Sequence, residues 1–238
     1  MSIVNQLVNY DYNGKALQGY LAYDDAISGP RPLVTVSHAW GGRGDFENDK
    51  ADKLAKLGYA GFAIDVYGAG VTGSTPEENT ALMNPLLGDR DELLGRLRAG
   101  VQAGSSQDVA DASRIAVTGY CFGGLCALDL ARSGDALAGA VSFHGLFTPP
   151  ENSTSKISAK VLVLHGWGDP MATPDSVVAL GQEMSEKDAD WQLHAYGQTL
   201  HSFTNPQAND PKSGLQYSAD ADRRSWQTLS NFLAEIFD

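Results

Sequence analysis

The segment Gly119-Tyr120-Cys121-Phe122-Gly123-Gly124 restricts the folds open to this chain more than any other stretch. It follows Arg114 to Tyr120, an apolar β-prone run, and leads into Phe122 to Arg132, where Leu125, Leu128 and Leu130 read as a helix. The form is G-x-C-x-G at a strand-to-helix junction. A side chain at its centre stands on a sharp turn in a strained backbone conformation, and small neighbours let the chain close that tightly. The expectation is a thiol turned outward at the C-terminal edge of a sheet. It sits at the N-terminus of the next helix, whose partial positive charge favours thiolate. The Phe122 amide then faces an oxyanion developing beside Cys121. The competing reading makes Cys121 a small buried hydrophobe ahead of a helix, the commoner fate of cysteine. The motif alone does not separate the two. Cys126, inside the apolar helix, keeps the buried reading.

The rest of the chain repeats the same alternation. Leu7 to Tyr12 and Leu17 to Tyr23, separated by Asn13-Gly14, predict a hairpin. Apolar runs at Pro32 to Ser37, Tyr59 to Val66, Ala138 to Phe143 and Lys160 to His165 predict interior parallel strands, and Trp191 to Tyr196 a further strand. Helices are expected at Asp45 to Leu57, with Gly58 as C-cap, at Pro174 to Lys187, and at Asp220 to Phe237. Pro85, Gly88 and Gly95 predict broken helices with a cap-like character over about 76–104. These elements place the chain in the α/β class: a mostly parallel sheet of about eight strands flanked by helices, in one domain spanning 1–238.

Two partners for Cys121 arrive downstream. Lys160 to His165 ends in Gly166-Trp167-Gly168-Asp169-Pro170, which sets Asp169 in a loop at a strand end. The next strand is followed by Gly197-Gln198-Thr199-Leu200-His201-Ser202-Phe203, which sets His201 in a second such loop. Nucleophile, acid and histidine in that order are the arrangement of a strand–turn–helix nucleophile. Asp175, after Pro174, opens a helix instead. The loop His38-Ala39-Trp40-Gly41-Gly42 follows the third strand, where a second oxyanion donor belongs, and the Trp40 amide is assigned that role. His38, Tyr67, Trp167 and Phe203 are candidate pocket residues. His38, His144 and His165 also fall near strand ends, but on different strands and without a ligand motif, so no metal is expected.

Composition narrows the partners. The net charge is −12, from 29 acidic against 17 basic residues. Such a surface repels phosphate backbones and anionic lipid, which argues against nucleic-acid and membrane partners. No apolar run reaches the length of a membrane span, and the N-terminus lacks the basic-then-apolar pattern of a signal peptide. Two cysteines five positions apart make no disulfide framework. The expectation is a cytoplasmic protein with reduced thiols, monomeric or homodimeric, needing no cofactor.

With those residues named, the chain resembles the dienelactone hydrolase family of the α/β-hydrolase superfamily along nearly its whole length. The marks are the loop ending at Gly42, Gly58-Tyr59 with Ile64-Asp65-Val66-Tyr67, the Cys121 segment, Gly168-Asp169 and His201-Ser202-Phe203. The resemblance implies Cys121 as nucleophile, His201 as base, Asp169 as its orienting acid, and a small ester or lactone as substrate. The family's type enzyme carries a glutamate in the loop after the third strand, where Ala39 stands here, and a substrate-binding arginine after the histidine, where Asn205 stands. The machinery is therefore similar and the substrate is expected to differ. A different class of reading, a non-catalytic or redox-sensing relative with a reactive Cys121, leaves the acid and base positions without a purpose.

Overall fold

A computed structural model describes residues 2–151, 153 and 156–238. Its main sheet has eight strands in the order β1-β2-β4-β3-β5-β6-β7-β8, mostly parallel and flanked by helices. The chain divides into two units, Met1–Thr118 and Gly119–Asp238. Among the described residues no helix is long and apolar enough to cross a membrane.

The first unit opens with the expected hairpin, β1 (Ile3–Tyr12) against β2 (Lys15–Asp24). Its two-residue turn requires positive φ at both positions, and Asn13 (φ 51) and Gly14 (φ 80) supply it. Strand β3 (Arg31–Ser37) pairs in parallel with β4 (Ala60–Ile64), and β4 pairs antiparallel with β2. Every residue of β4 is buried, which explains a continuous apolar run without alternation. Helix α1 (Asp45–Lys56) joins β3 to β4 and stops just before Gly58, whose φ of 95 suits the residue past a helix end.

The segment 76–104 forms two helices, α2 (Pro76–Gly88) and α3 (Arg90–Ser105), parted at Asp89. Thr75 caps the first through Oγ1 and Asp89 caps the second through Oδ1, each accepting a backbone amide. Gly95, expected to break a helix, lies inside α3, because a side chain there would run into the Tyr12 ring. With Leu93, Leu97 and Gly100 buried and Gly100 facing Ile64, α3 is a helix that flanks the sheet. Exposed positions dominate α2, where Asn79 and Leu86 are the buried ones. Strand β5 (Ala110–Tyr120) follows.

The second unit runs α4 (Phe122–Arg132), β6 (Gly139–Phe143), β7 (Lys160–Gly166), α5 (Pro174–Glu186), β8 (Trp191–Tyr196) and α6 (Ala219–Phe237). The strands β6, β7 and β8 pair in parallel, so their C-terminal ends share one edge. Helix α4 is buried along its length, including Arg132. That guanidinium is satisfied: Nε and Nη2 donate to Glu183 at 2.9 and 2.7 Å, Nη1 to Asp129 at 3.3 Å, and Nη2 also to the Phe147 carbonyl at 2.8 Å. Two short strands absent from the sequence reading, β9 (Asn209–Asp210) and β10 (Leu215–Gln216), pair across a 3₁₀ turn at Pro211–Ser213.

Candidate active site

Cys121 occupies the turn between β5 and α4 with φ 58 and ψ −115, a conformation that costs a non-glycine residue about 1–3 kcal/mol. The surroundings enforce it. The Cys121 amide donates to the Phe143 carbonyl at 3.0 Å, and its carbonyl accepts the Gly124 amide at 2.9 Å. A side chain on Gly119 would run into the Gly123 carbonyl, and one on Gly124 would come within 2.7 Å of Gly145 Cα and Ser142 Oγ. The glycines therefore let strand, turn and helix close on one another, leaving the cysteine partly exposed. Phe122 is the first residue of α4, at the end where helix amides point away from the helix.

Asp169 and His201 meet in a buried pair. His201 Nδ1 lies 2.7 Å from Asp169 Oδ2, with both side chains essentially sealed from solvent. The other carboxylate oxygen accepts the Met171 amide at 2.8 Å, so each oxygen has a job and the rotamer is fixed. His201 is held by its backbone as well. Its amide donates to Gly214 at 2.9 Å, its carbonyl accepts from Gln216 at 3.1 Å, and it bridges to Leu215 beside the β9–β10 pair. The ring packs edge-on against His144, centroids 5.2 Å apart, while His144 Nε2 pairs with Thr204 Oγ1 at 2.8 Å. The sequence reading missed this support from Met171, Gly214 and Gln216. Backbone donors and acceptors carry no side-chain signal.

Electrostatics follow from that packing. Burial by itself pushes the His201 pKa down, but its interactions with Cys121 and with Asp169 outweigh that and hold it at about 10. His201 Nε2 is buried and makes no hydrogen bond of ordinary geometry, while Cys121 is near enough for its charge to act on the ring. The arrangement supplies a fixed tautomer, a proton-carrying nitrogen with nothing else to bind, and a sulfur beside it.

The remaining candidates fall in varied places. In the first unit His38 is buried, its Nδ1 2.6 Å from the Ala39 carbonyl and its Nε2 accepting the Val66 amide at 3.3 Å. Burial pushes its pKa down. Tyr67 is also buried; its hydroxyl donates to the Trp40 carbonyl at 3.0 Å, which anchors the loop assigned to the second oxyanion donor. In the second unit Phe203 is fully buried against His144 and Tyr196, a core side chain, whereas Trp167 is 47% exposed. His165 is buried with its pKa pushed down by desolvation. Among the described residues no group of three or more His, Cys, Asp or Glu side chains is placed to hold a metal ion.

A mostly parallel sheet with flanking helices, carrying a cysteine on a strained strand–helix turn and an acid–histidine pair at later strand ends, defines an α/β-hydrolase. Residues 17–237 match the dienelactone hydrolase family. The solved structures of m3DLH and of the dienelactone hydrolase-like promiscuous phosphotriesterase P91, from metagenomic libraries, superpose with TM-scores of 0.95 each. They share 34% and 33% identity with this chain, each alignment covering 100% of both partners. A Yersinia pestis protein named as a carboxymethylenebutenolidase is 26% identical over 234 residues, 93% of this chain and 85% of its own length. The chain belongs to the dienelactone hydrolase family, and with it to the hydrolases of carboxylic esters and lactones.

Proposed function

We propose that the protein hydrolyses small activated carboxylic esters and lactones through an acyl-enzyme on Cys121. The observation that carries this reading is the 2.7 Å His201–Asp169 pair with His201 Nε2 left over beside Cys121. The resting state is a thiolate–imidazolium pair. Sulfur attacks the carbonyl carbon, the C=O electrons move to oxygen, and the amides of Phe122 and Trp40 hold that oxyanion. Each such donor is worth about a hundredfold or more in rate. The intermediate collapses by breaking the bond to the alcohol oxygen, which takes the Nε2 proton. Water then loses a proton to Nε2 and attacks the thioester, and thiolate departs with the acid released. In a lactone the alcohol stays tethered until this second step.

Thiolate is a better leaving group than an alkoxide, so a poor alcohol sends the intermediate back to substrate. Enol lactones and aryl esters suit this chemistry, and amides do not. P91, described as a promiscuous phosphotriesterase, supports activated phosphotriesters as side substrates. A redox sensor would need no base to release an acyl group, so the retained His201–Asp169 pair speaks for turnover. The test is hydrolysis of p-nitrophenyl acetate and butyrate, with intact-mass detection of an adduct on Cys121. Activity equal to a Cys121→Ala control would sink the proposal.

A further inference from the structure

A cavity of about 490 Å³ opens in the second unit beside the acid loop. Two of its walls belong to segments that also carry site residues. Leu146, Phe147 and Pro149 follow His144, the ring packed on His201. Met171 supplies the amide that binds Asp169 Oδ1 and is itself part of the lining. Ala179 and Leu180 on α5 close the far side. By contrast, the hollows along α2 and along the outer face of α5 are lined by no segment that holds a site residue.

The lining says what fits. It is apolar except for the Thr148 and Ser176 hydroxyls and the Glu183 carboxylate, and the Ser176 hydroxyl already donates to the Thr173 carbonyl. Glu183 is held by both arms of Arg132, whose guanidinium is fully buried and directed at Glu183, Asp129 and the Phe147 carbonyl. No positive group is offered to a ligand here, because Arg132 is committed to Glu183 and Asp129. A carboxylate arm would lose its water without gaining a partner, whereas an uncharged arm is accommodated. The volume lies within the range of small-molecule sites. Two of its lining segments, Leu146–Pro149 and Met171, come from the connections that follow β6 and β7, and such connections are where open α/β sheets bind ligands.

We infer that this cavity is the subsite for the uncharged aryl or alkyl arm of the ester, and that it selects against substrates bearing a carboxylate on that arm. The inference rests on the ester-hydrolase reading above and adds to it the class of side arm. Each methylene the cavity buries is worth about fourfold in affinity.

The decisive variant is Ala179→Trp, because Ala179 is exposed on α5 and its replacement fills the cavity without entering the core. Wild-type enzyme and variant are compared on p-nitrophenyl acetate, octanoate, phenylacetate and hydrogen glutarate. In the wild type, kcat/KM is expected to rise about tenfold or more from acetate to octanoate and phenylacetate, mainly through KM, with no gain for hydrogen glutarate. In Ala179→Trp the gain vanishes while acetate hydrolysis is kept. Equal ranking of the four esters by the two proteins overturns the subsite. A second arm needs no turnover: Cys121→Ala is titrated with 2-phenylethanol while the Met171 methyl resonance is followed by NMR. A saturable shift, lost when Ala179→Trp is added, supports the cavity even if the chain hydrolyses nothing. Saturable binding without any ester-length gain in an active wild type overturns the substrate-arm assignment, since the occupant is then a separate molecule. No shift at all overturns the site.

Discussion

Each unit of this chain buries an acid–histidine group, and the two differ in what is left over. In the first, Asp65 accepts the Tyr67 and Gly68 amides on one oxygen and the Gln18 amide on the other. Glu47 accepts the Ala39 and Gly44 amides, and both His38 nitrogens are taken by backbone. Every polar atom of that group ties down a loop. In the second, Asp169 is just as saturated, but His201 spends one nitrogen on it and keeps the other. The same side chain is driven in opposite directions. His38, next to a carbonyl and an amide, has its pKa lowered by burial, whereas a thiolate and a carboxylate raise that of His201. Burial marks both groups, but a ring nitrogen left to Cys121 and not to the backbone marks one.

The largest expected effect is on turnover. Cys121→Ala should lower kcat/KM for p-nitrophenyl butyrate at least about ten-thousandfold, the range seen when a nucleophile is removed. Asp169→Asn should lower kcat by about a thousandfold or more at near-constant KM, because the neutral amide stabilises the wrong tautomer; steady-state kinetics measure it. His38→Ala should do the reverse. Leaving the Val66 amide unsatisfied costs about 1–3 kcal/mol, read as a fall in denaturation midpoint, with kcat changed only a few-fold. A hundredfold kinetic loss with unchanged stability would break the contrast between the two groups. The smallest effect is the most diagnostic. The His201 pKa of about 10 stands above the ordinary 6.5, so its contribution to stability is complete below pH 6.5 and is lost as pH rises through about 10. Removing the thiolate in Cys121→Ala should lower that pKa, followed by NMR of the imidazole protons, and shift the loss to lower pH.

Much of this was legible in the sequence where a pattern repeats over a whole element. Helix α4 and strand β8 fall on the expected residues, since a buried leucine ridge and a β-rich run each extend over several positions. Asp169 and His201 were readable from their places after two strands, and the pair meets at hydrogen-bond distance. The parting of α2 from α3 falls beside Gly88, one of the expected breaks, but Gly95 breaks nothing: it is a helix breaker by propensity and is required here by Tyr12, a contact 83 positions distant in sequence. The cavity beside Met171 is assembled from three separate segments and has no local signature. Strands of two residues carry no periodicity, so β9 and β10 left none to read.

That last pair has a consequence for anyone moving this machinery elsewhere. The histidine is not simply displayed by the loop after β8; hydrogen bonds to Gly214 and Gln216 stitch it to a miniature ladder more than ten positions downstream. A graft that carried residues 197–208 alone would transplant an imidazole without its address. The stretch from 197 to 218 carries the backbone half of that alignment; the ring half stays with Asp169 and the Met171 amide that fixes it.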